Sequence, residues 1–414
     1  MIKRIVLYTK EQGSFLFLRY LNRLNHFNIT MNPLGIYIHI PYCLHKCGYC
    51  DFNSHRADSE EMAPYVDALL SEMSHYAERL KSDHTVQTLF LGGGTPTTLP
   101  PHYLKKILHQ CRALFDCRPD MEISLEANPA TIEPETLPTL HEAGYNRISI
   151  GVQSFHEPEL KLLDRIHSVE EIHSTVALAR EARFDNLSVD LMFALPRQTK
   201  TLWGASLRQA LEKNPEHLST YNLTIEPGTA FEKLSANGKL VMPEEDLQLA
   251  LYRQSIETLK AAGYRHYEIS NFAKPGKECR HNITYWQNGE TLGLGAGASS
   301  YLGGERFKNF NLPSRYIREI NHGETAKEFS ETLEPERAMG ETLMLGMRLL
   351  DGLSIPQFES RFDTSFQSVY GETVDSLIEQ NLITLQKDWL SLSEKGLFLA
   401  DSVILEFIPG EKTV

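Results

Sequence analysis

The chain is 414 residues long, 41% hydrophobic and 23% charged, with a formal net charge of −13. At about 100–200 residues per domain it is a globular protein of two or three units, neither disordered nor fibrous. Its acidity argues against a main task of holding a nucleic-acid backbone, because phosphate binding needs clustered Lys and Arg.

Residues 1–32 make a basic extension, with five Lys and Arg against one acid. Met31 opens "MNPLGIYIHIPYC", so the first thirty residues are expected to stand outside the fold, with a basic surface-binding arm as the alternative. The apolar run "SFLFL" is too short to span a bilayer or serve a signal peptide. A cytoplasmic protein is therefore expected, with any membrane contact peripheral and no integral membrane segment.

From 33 to 240, short β-rich runs alternate with helical patterns. The runs are GIYIHI (35–40), VQTLFLG (86–92), MEISLEA (121–127), RISIGVQ (147–153), NLSVDLMFAL (186–195) and HLSTYNLTI (217–225). Between them, segments such as APYVDALLSEMSHYAERL and SVEEIHSTVALAREARF carry apolar residues at helical spacing. Six β/α units in succession predict a parallel sheet with right-handed crossovers, as an open barrel or as a doubly wound sheet. In both, a site forms at the carboxyl ends of the strands.

Residues 241–330 read as a connecting region of longer helices with a Gly-rich passage, LGLGAGASS. From 331 to 408 the order is helix, short helix, helix, hairpin and helix, a winged-helix-like arrangement. Fifteen acids against six bases from 331 onward argue against a DNA reader and for a protein-docking or homodimer surface.

Cys43, Cys47 and Cys50 follow the first run directly. Three thiols at C-x3-C-x2-C on one loop can converge on one inorganic centre, whereas structural zinc normally takes four ligands from two separated pairs. No second pair is present. Cys111 and Cys117, placed in a helix LKKILHQCRALF, read as buried small hydrophobes. In a [4Fe–4S] cluster three cysteines leave one iron free for a small molecule. The blander reading is unrelated packed thiols.

In LFLGGGTPTTL, Gly93, Gly94 and Thr95 bring bare backbone to the end of the second run, and Pro96 fixes the turn. Glu126, Gln153 and Asp190 stand at the ends of runs three, four and five, polar residues amid apolar β sequence that are costly to bury without partners. For each alone a structural hydrogen bond is an equal reading; the three together favour a shared site.

The C-x3-C-x2-C loop after the first strand, with Tyr49 before the third cysteine, resembles the signature of radical S-adenosylmethionine (SAM) enzymes. The resemblance implies a partial (β/α)6 barrel, a [4Fe–4S] cluster on Cys43, Cys47 and Cys50, and SAM bound at the open iron for reductive cleavage. YIHIPYC, GGGTPT, EANP, GVQSF and LLDRIH narrow the likeness to the branch of the oxygen-independent coproporphyrinogen III oxidases and the HemW-type heme chaperones. It implies SAM contacts at Tyr37, Gly93, Gly94, Thr95, Glu126, Gln153, Arg165 and Asp190, with His39 near the cluster.

Oxidases of this branch carry a fourth cysteine two positions after the third, where this chain has Phe52. CRHNITYW (279–286) matches the H-N-x-x-Y-W motif of the heme chaperones. The resemblance thus implies heme contact at His281, Tyr285 and Trp286, with Cys279 a competing ligand, and delivery of heme to apo-hemoproteins such as respiratory enzymes. Ser299 stands where the family pattern has a histidine. The alternatives are a porphyrinogen decarboxylase or other radical SAM oxidoreductase, and a non-catalytic metal-binding module.

Overall fold

A computed structural model describes residues 31–408. The basic stretch 1–30 lies outside the described residues. Six parallel strands run in chain order across the middle of the main sheet: β1 (Asn32–Ile40), β2 (His84–Gly93), β3 (Cys117–Ala127), β4 (Arg147–Gln153), β5 (Leu187–Phe193) and β6 (His217–Asn222). Each coincides with one of the six β-rich runs. Their crossovers include α1 (Ser59–Leu80), α2 (Pro101–Leu114), α3 (Thr136–Ala143), α4 (Val169–Glu181) and α5 (Lys200–Glu212). Strand order equal to chain order, with helices between, is the partial (β/α)6 barrel and not the doubly wound sheet.

The helices form for local reasons. Asp58 caps α1 by accepting from the Glu60 N–H, and Ser168 with Glu171 makes a reciprocal capping box on α4. The buried face of α1 includes Tyr65, Leu69 and Met73, at helical spacing. It meets the fully buried Ile36, Ile38 and Ile40 of β1 in one core.

Residues 241–330 are not a connector. After α6 (Glu245–Ala261), β7 (Arg265–Glu268) and β8 (Asn271–Ala273) extend the sheet antiparallel beside β6. On the opposite edge β9 (Thr291–Leu294) pairs parallel with β1, Gly35 facing Thr291, and β10 (Ser299–Leu302), β11 (Glu305–Asn309) and β12 (Lys327–Thr332) follow antiparallel. The sheet thus counts twelve strands among the described residues, and its core runs from Leu34 to Ala326. Cys117 opens β3 instead of lying in the helix with Cys111; Cys111 is buried as expected.

The Gly-rich passage is the turn between β9 and β10. Gly295 has φ +97°, and a Cβ there would lie 2.6 Å from the His39 carbonyl. Buried Glu72 of α1 accepts from the Gly295 N–H, the Tyr316 hydroxyl and Asn309 Nδ2, which locks the turn. Ser299 is exposed on β10.

A second core, with Leu343, Met347, Phe358, Phe366, Val374 and Leu390 among its residues, belongs to the C-terminal unit. It comprises α8 (Pro335–Gly346), α9 (Ile355–Phe362) and α10 (Phe366–Glu379), with a small antiparallel sheet of β13 (Leu353–Ser354), β14 (Ile383–Gln386) and β15 (Trp389–Leu392), and short helices at Glu394–Leu397 and Ala400–Leu405. No helix of the described residues is long and apolar enough to cross a membrane.

Candidate functional site

At the carboxyl ends of β1 to β6 lies a cavity of about 470 Å³, within the range usual for small-molecule sites. Its wall includes Cys43, Cys47, Cys50, Gly93, Gly94, Thr95, Glu126, Gln153, Arg165 and Asp190. Ten of the eleven residues expected to hold cluster or SAM are therefore brought together. Tyr37 is the exception: it sits one layer lower, its hydroxyl 3.0 Å from His39 Nδ1.

The cysteine loop is stitched to the glycine turn by backbone. The Gly94 N–H donates to the Ile40 carbonyl at 2.9 Å, the Thr95 N–H to the Tyr42 carbonyl at 2.8 Å, and Thr95 Oγ1 lies 3.4 Å from Cys43 Sγ. A Cβ on Gly94 would sit 2.8 Å from the Tyr42 carbonyl oxygen and 3.1 Å from Cys43 Sγ. Gly94→Ala is therefore expected to destabilise the protein by about 1–3 kcal/mol and to lower cluster occupancy, because the obstructing atom is backbone. Urea unfolding beside iron analysis checks both.

The far end of the loop hangs from Asn53, whose Nδ2 donates to the carbonyls of Ala296 and Asn311. Its own carbonyl accepts from His39 Nε2 at 2.8 Å. With Nε2 donating, Nδ1 is the acceptor for Tyr37, so His39 is a neutral positioning residue. Burial agrees, pushing its pKa down to about 4.

Arg165 bridges the two halves of the site. Nη2 donates to the Gly151 carbonyl at 2.8 Å, Nη1 lies 3.5 Å from Cys47 Sγ, and buried Nε has no partner. Gly151 leaves room beside it: a Cβ would meet the side-chain ends Gln153 Nε2 at 3.1 Å and Arg165 Nη2 at 3.3 Å, a tight fit that those side chains would have to yield to. Gln153 itself takes φ +66°, an uncommon conformation for a non-glycine residue that turns the chain out of β4 at the cavity wall.

Two half-buried carboxyls, Glu126 and Asp190, line the same cavity. Glu126 accepts from the Gly93 N–H at 3.2 Å, and Asp190 accepts from Ser149 Oγ at 3.0 Å. Burial, then the charge of Asp190, lifts Glu126 to about 8, and burial raises Asp190 as well. Burial likewise raises the Cys43 thiol.

The residues fit both expected groups. Three half-buried free thiols share one cavity wall. The unpartnered Arg165 Nε suits a carboxylate, and the paired acids with bare glycine backbone suit an ammonium or sulfonium group.

Beneath this cavity a second one, of about 200 Å³, occupies the barrel interior and shares Glu126, Ser149, Asp190 and Tyr221 with the first. His281 and Tyr285 face it from the short helix α7 (Arg280–Trp286). Glu122 of β3 caps that helix, accepting from the N–H groups of Arg280 and His281 at 3.1 Å and facing Cys279 Sγ at 3.7 Å. His281 is 1% exposed, its Nδ1 2.8 Å from Thr88 Oγ1 and its Nε2 3.2 Å from the Tyr285 hydroxyl. Its ring stacks on Phe90 and Tyr37. Burial drives its pKa down to about 3.

Trp286 does not join them. It faces the opposite side, with the Arg348 guanidinium 4.6 Å from its ring centroid. The three motif residues expected to meet heme are thus split between two faces of one helix, and Cys279 is buried against Glu122.

Arg147 was missed by sequence reading. It is 2% exposed in the lower cavity, with Nε unpartnered, and lies near Glu122 and Asp190. A lone charge opening the apolar run RISIGVQ was the available signal.

Residues 37–208 match the radical SAM superfamily and residues 333–399 match the HemN C-terminal domain. The solved structure of coproporphyrinogen III oxidase (HemN) from Escherichia coli, described as a radical SAM enzyme, superposes with TM-score 0.79 at 25% identity, covering 98% of this chain and 95% of that one. Fold and site therefore define a radical SAM protein. The chain is 36% identical to the heme chaperone HemW of Bacillus subtilis, over 90% of this chain and 98% of that protein. It is 34% identical to HemW of Lactococcus lactis, covering 92% and 98%, and 36% identical to HemW of Escherichia coli, covering 92% and 99%. It belongs to the HemW family.

Proposed function

We propose that this protein carries heme and delivers it to apo-hemoproteins such as respiratory enzymes, with a [4Fe–4S] cluster on Cys43, Cys47 and Cys50 and SAM on the strand ends. The carrying observation is near full-length likeness to proteins named heme chaperones, with Phe52 where the oxidase branch has a fourth cysteine. Phe52 is 64% exposed at the wall of the upper cavity.

When bound, cluster and SAM supply one-electron chemistry. The chain's own parts are simpler. Arg165 and the Gly93–Gly94 backbone orient the ligand, Glu126 holds or releases a proton, and His39 fixes the cysteine loop through Asn53. The α7 helix, between the barrel interior and the C-terminal unit, is the seat for heme. Six unpaired cysteines suit the cytoplasm. The acidic C-terminal unit is the docking face for an acceptor or a second copy.

The test is an anaerobic pair of assays on reconstituted protein: heme titration by absorbance, and coproporphyrinogen III turnover with SAM and a reductant. Tight heme binding without decarboxylation is expected. Turnover without heme binding is the result that would favour the oxidase reading, for which the HemN superposition speaks. Zinc in place of iron and sulfide would leave only a metal-binding module.

A further inference from the structure

Between α7 and the C-terminal unit lies a cleft of about 410 Å³. It has the size of a small-molecule site, whereas the 200 Å³ interior cavity beside His281 falls below that range. Two of the chain's three tryptophans, Trp286 and Trp389, line it, with Ile283, Leu353 and Phe358 as apolar floor. Trp389 is 45% exposed at its rim, so a ligand wider than the cleft can project into solvent.

Two polar features of the cleft lack the partners they would ordinarily have. Trp286 Nε1 is buried with no acceptor. Arg361 Nη1 donates to the Asn288 carbonyl and Nη2 to the Tyr301 hydroxyl, but among the described residues no carboxylate neutralises this guanidinium. Arg265, on another part of the wall, is by contrast paired with Glu278 and Asp351. Flat aromatic faces beside one unneutralised guanidinium suit a large planar aromatic ligand bearing carboxylates.

We infer that this cleft, and not the His281 face of the same helix, is the seat for a tetrapyrrole, with the macrocycle against Trp286 and Trp389 and a propionate on Arg361. The inference rests on the heme-carrier reading and deepens it. The lining holds no histidine, cysteine or methionine, and the hydroxyl of its Tyr267 is already engaged by His217 Nε2 and the Cys279 N–H, so recognition is of ring and propionate instead of iron. An iron without a strong protein ligand is free to take the acceptor's axial ligand, which suits a carrier.

The experiment titrates the full chain with heme, metal-free protoporphyrin IX and protoporphyrin dimethyl ester. Heme and the free acid are expected to bind within about tenfold of each other, and the ester about tenfold or more weaker. Arg361→Ala is expected to weaken both acids by about tenfold or more, and Trp389→Ala, at an exposed position, by about fivefold. Iron and sulfide content stays unchanged in both variants, and His281→Ala leaves metal-free porphyrin binding unchanged. If Arg361→Ala and Trp389→Ala bind as wild type while His281→Ala loses heme, the cleft is wrong and the carrier reading stands. If the wild-type chain binds no porphyrin, both fall.

Discussion

Replacing Cys47 by alanine is expected to reduce iron and sulfide from about four each per chain to near zero, and to abolish the broad visible absorption of the cluster. Three ligands are the minimum this loop provides, and losing the middle one leaves two. The folded state should survive. Cys47 is half-buried, touches the rest of the protein through Arg165 Nη1, and takes no part in the apolar core. The loop keeps its other ties, from Gly94 to Ile40, Thr95 to Tyr42 and Asn53 to Ala296 and Asn311. Circular dichroism and urea unfolding of the cluster-free protein should therefore match wild type prepared without iron. A midpoint lowered by more than the loss of one buried polar contact, about 1–2 kcal/mol, would show that the loop supports the barrel. Retained iron at wild-type levels would show that the other thiols suffice.

The six parallel strands were legible because each is a β-rich run of at least six residues bounded by helical patterns. The extra strands were not. β7 and β8 are four and three residues long, too short to show a period, and β9 finds its partner β1 some 250 residues away. The upper site was legible because strand-end polarity and the cysteine spacing are local signals, whereas Tyr37, two residues before His39 on β1, reaches the cavity below instead.

The split motif is a different kind of miss. At 100° per residue, His281 and Tyr285 share a helix face while Trp286 stands about 140° round from His281. The spacing carried that information once the segment is a helix, and seven residues with an aromatic pair at the end did not announce one. Arg147 needed the fold itself: only the closing of β3, β4 and β5 around one interior brings it near Glu122 and Asp190. A charged residue opening a strand otherwise reads as a solvated end.

The proton on Glu126 is expected to make SAM binding pH-dependent, with a sign set by the raised pKa of its carboxyl. Burial and Asp190 lift this carboxyl to about 8, so near neutral pH the empty site holds it mostly protonated. A cationic group placed beside it favours the carboxylate, lowers the pKa in the complex and expels the proton. Affinity for SAM should then rise with pH by up to about tenfold per unit, level off above about 8, and be accompanied by proton release that calorimetry in buffers of different ionisation enthalpy reads directly. Glu126→Gln keeps the shape and an acceptor for the Gly93 N–H but cannot ionise. It is expected to weaken SAM by about tenfold to a hundredfold at pH 8, the worth of a charge-assisted hydrogen bond, and to flatten the pH profile. A profile that stays steep in Glu126→Gln would assign the proton to Asp190, whose carboxyl is also raised and which Ser149 and Ser188 hold in place. The same protein read without ligand should lose stability as pH rises from about 4.5 toward 8, since the native state binds this proton more tightly than the unfolded chain does. The two slopes are opposite, stability falling and affinity rising over one interval, because one desolvated carboxyl is uncomfortable as an anion until a cation arrives.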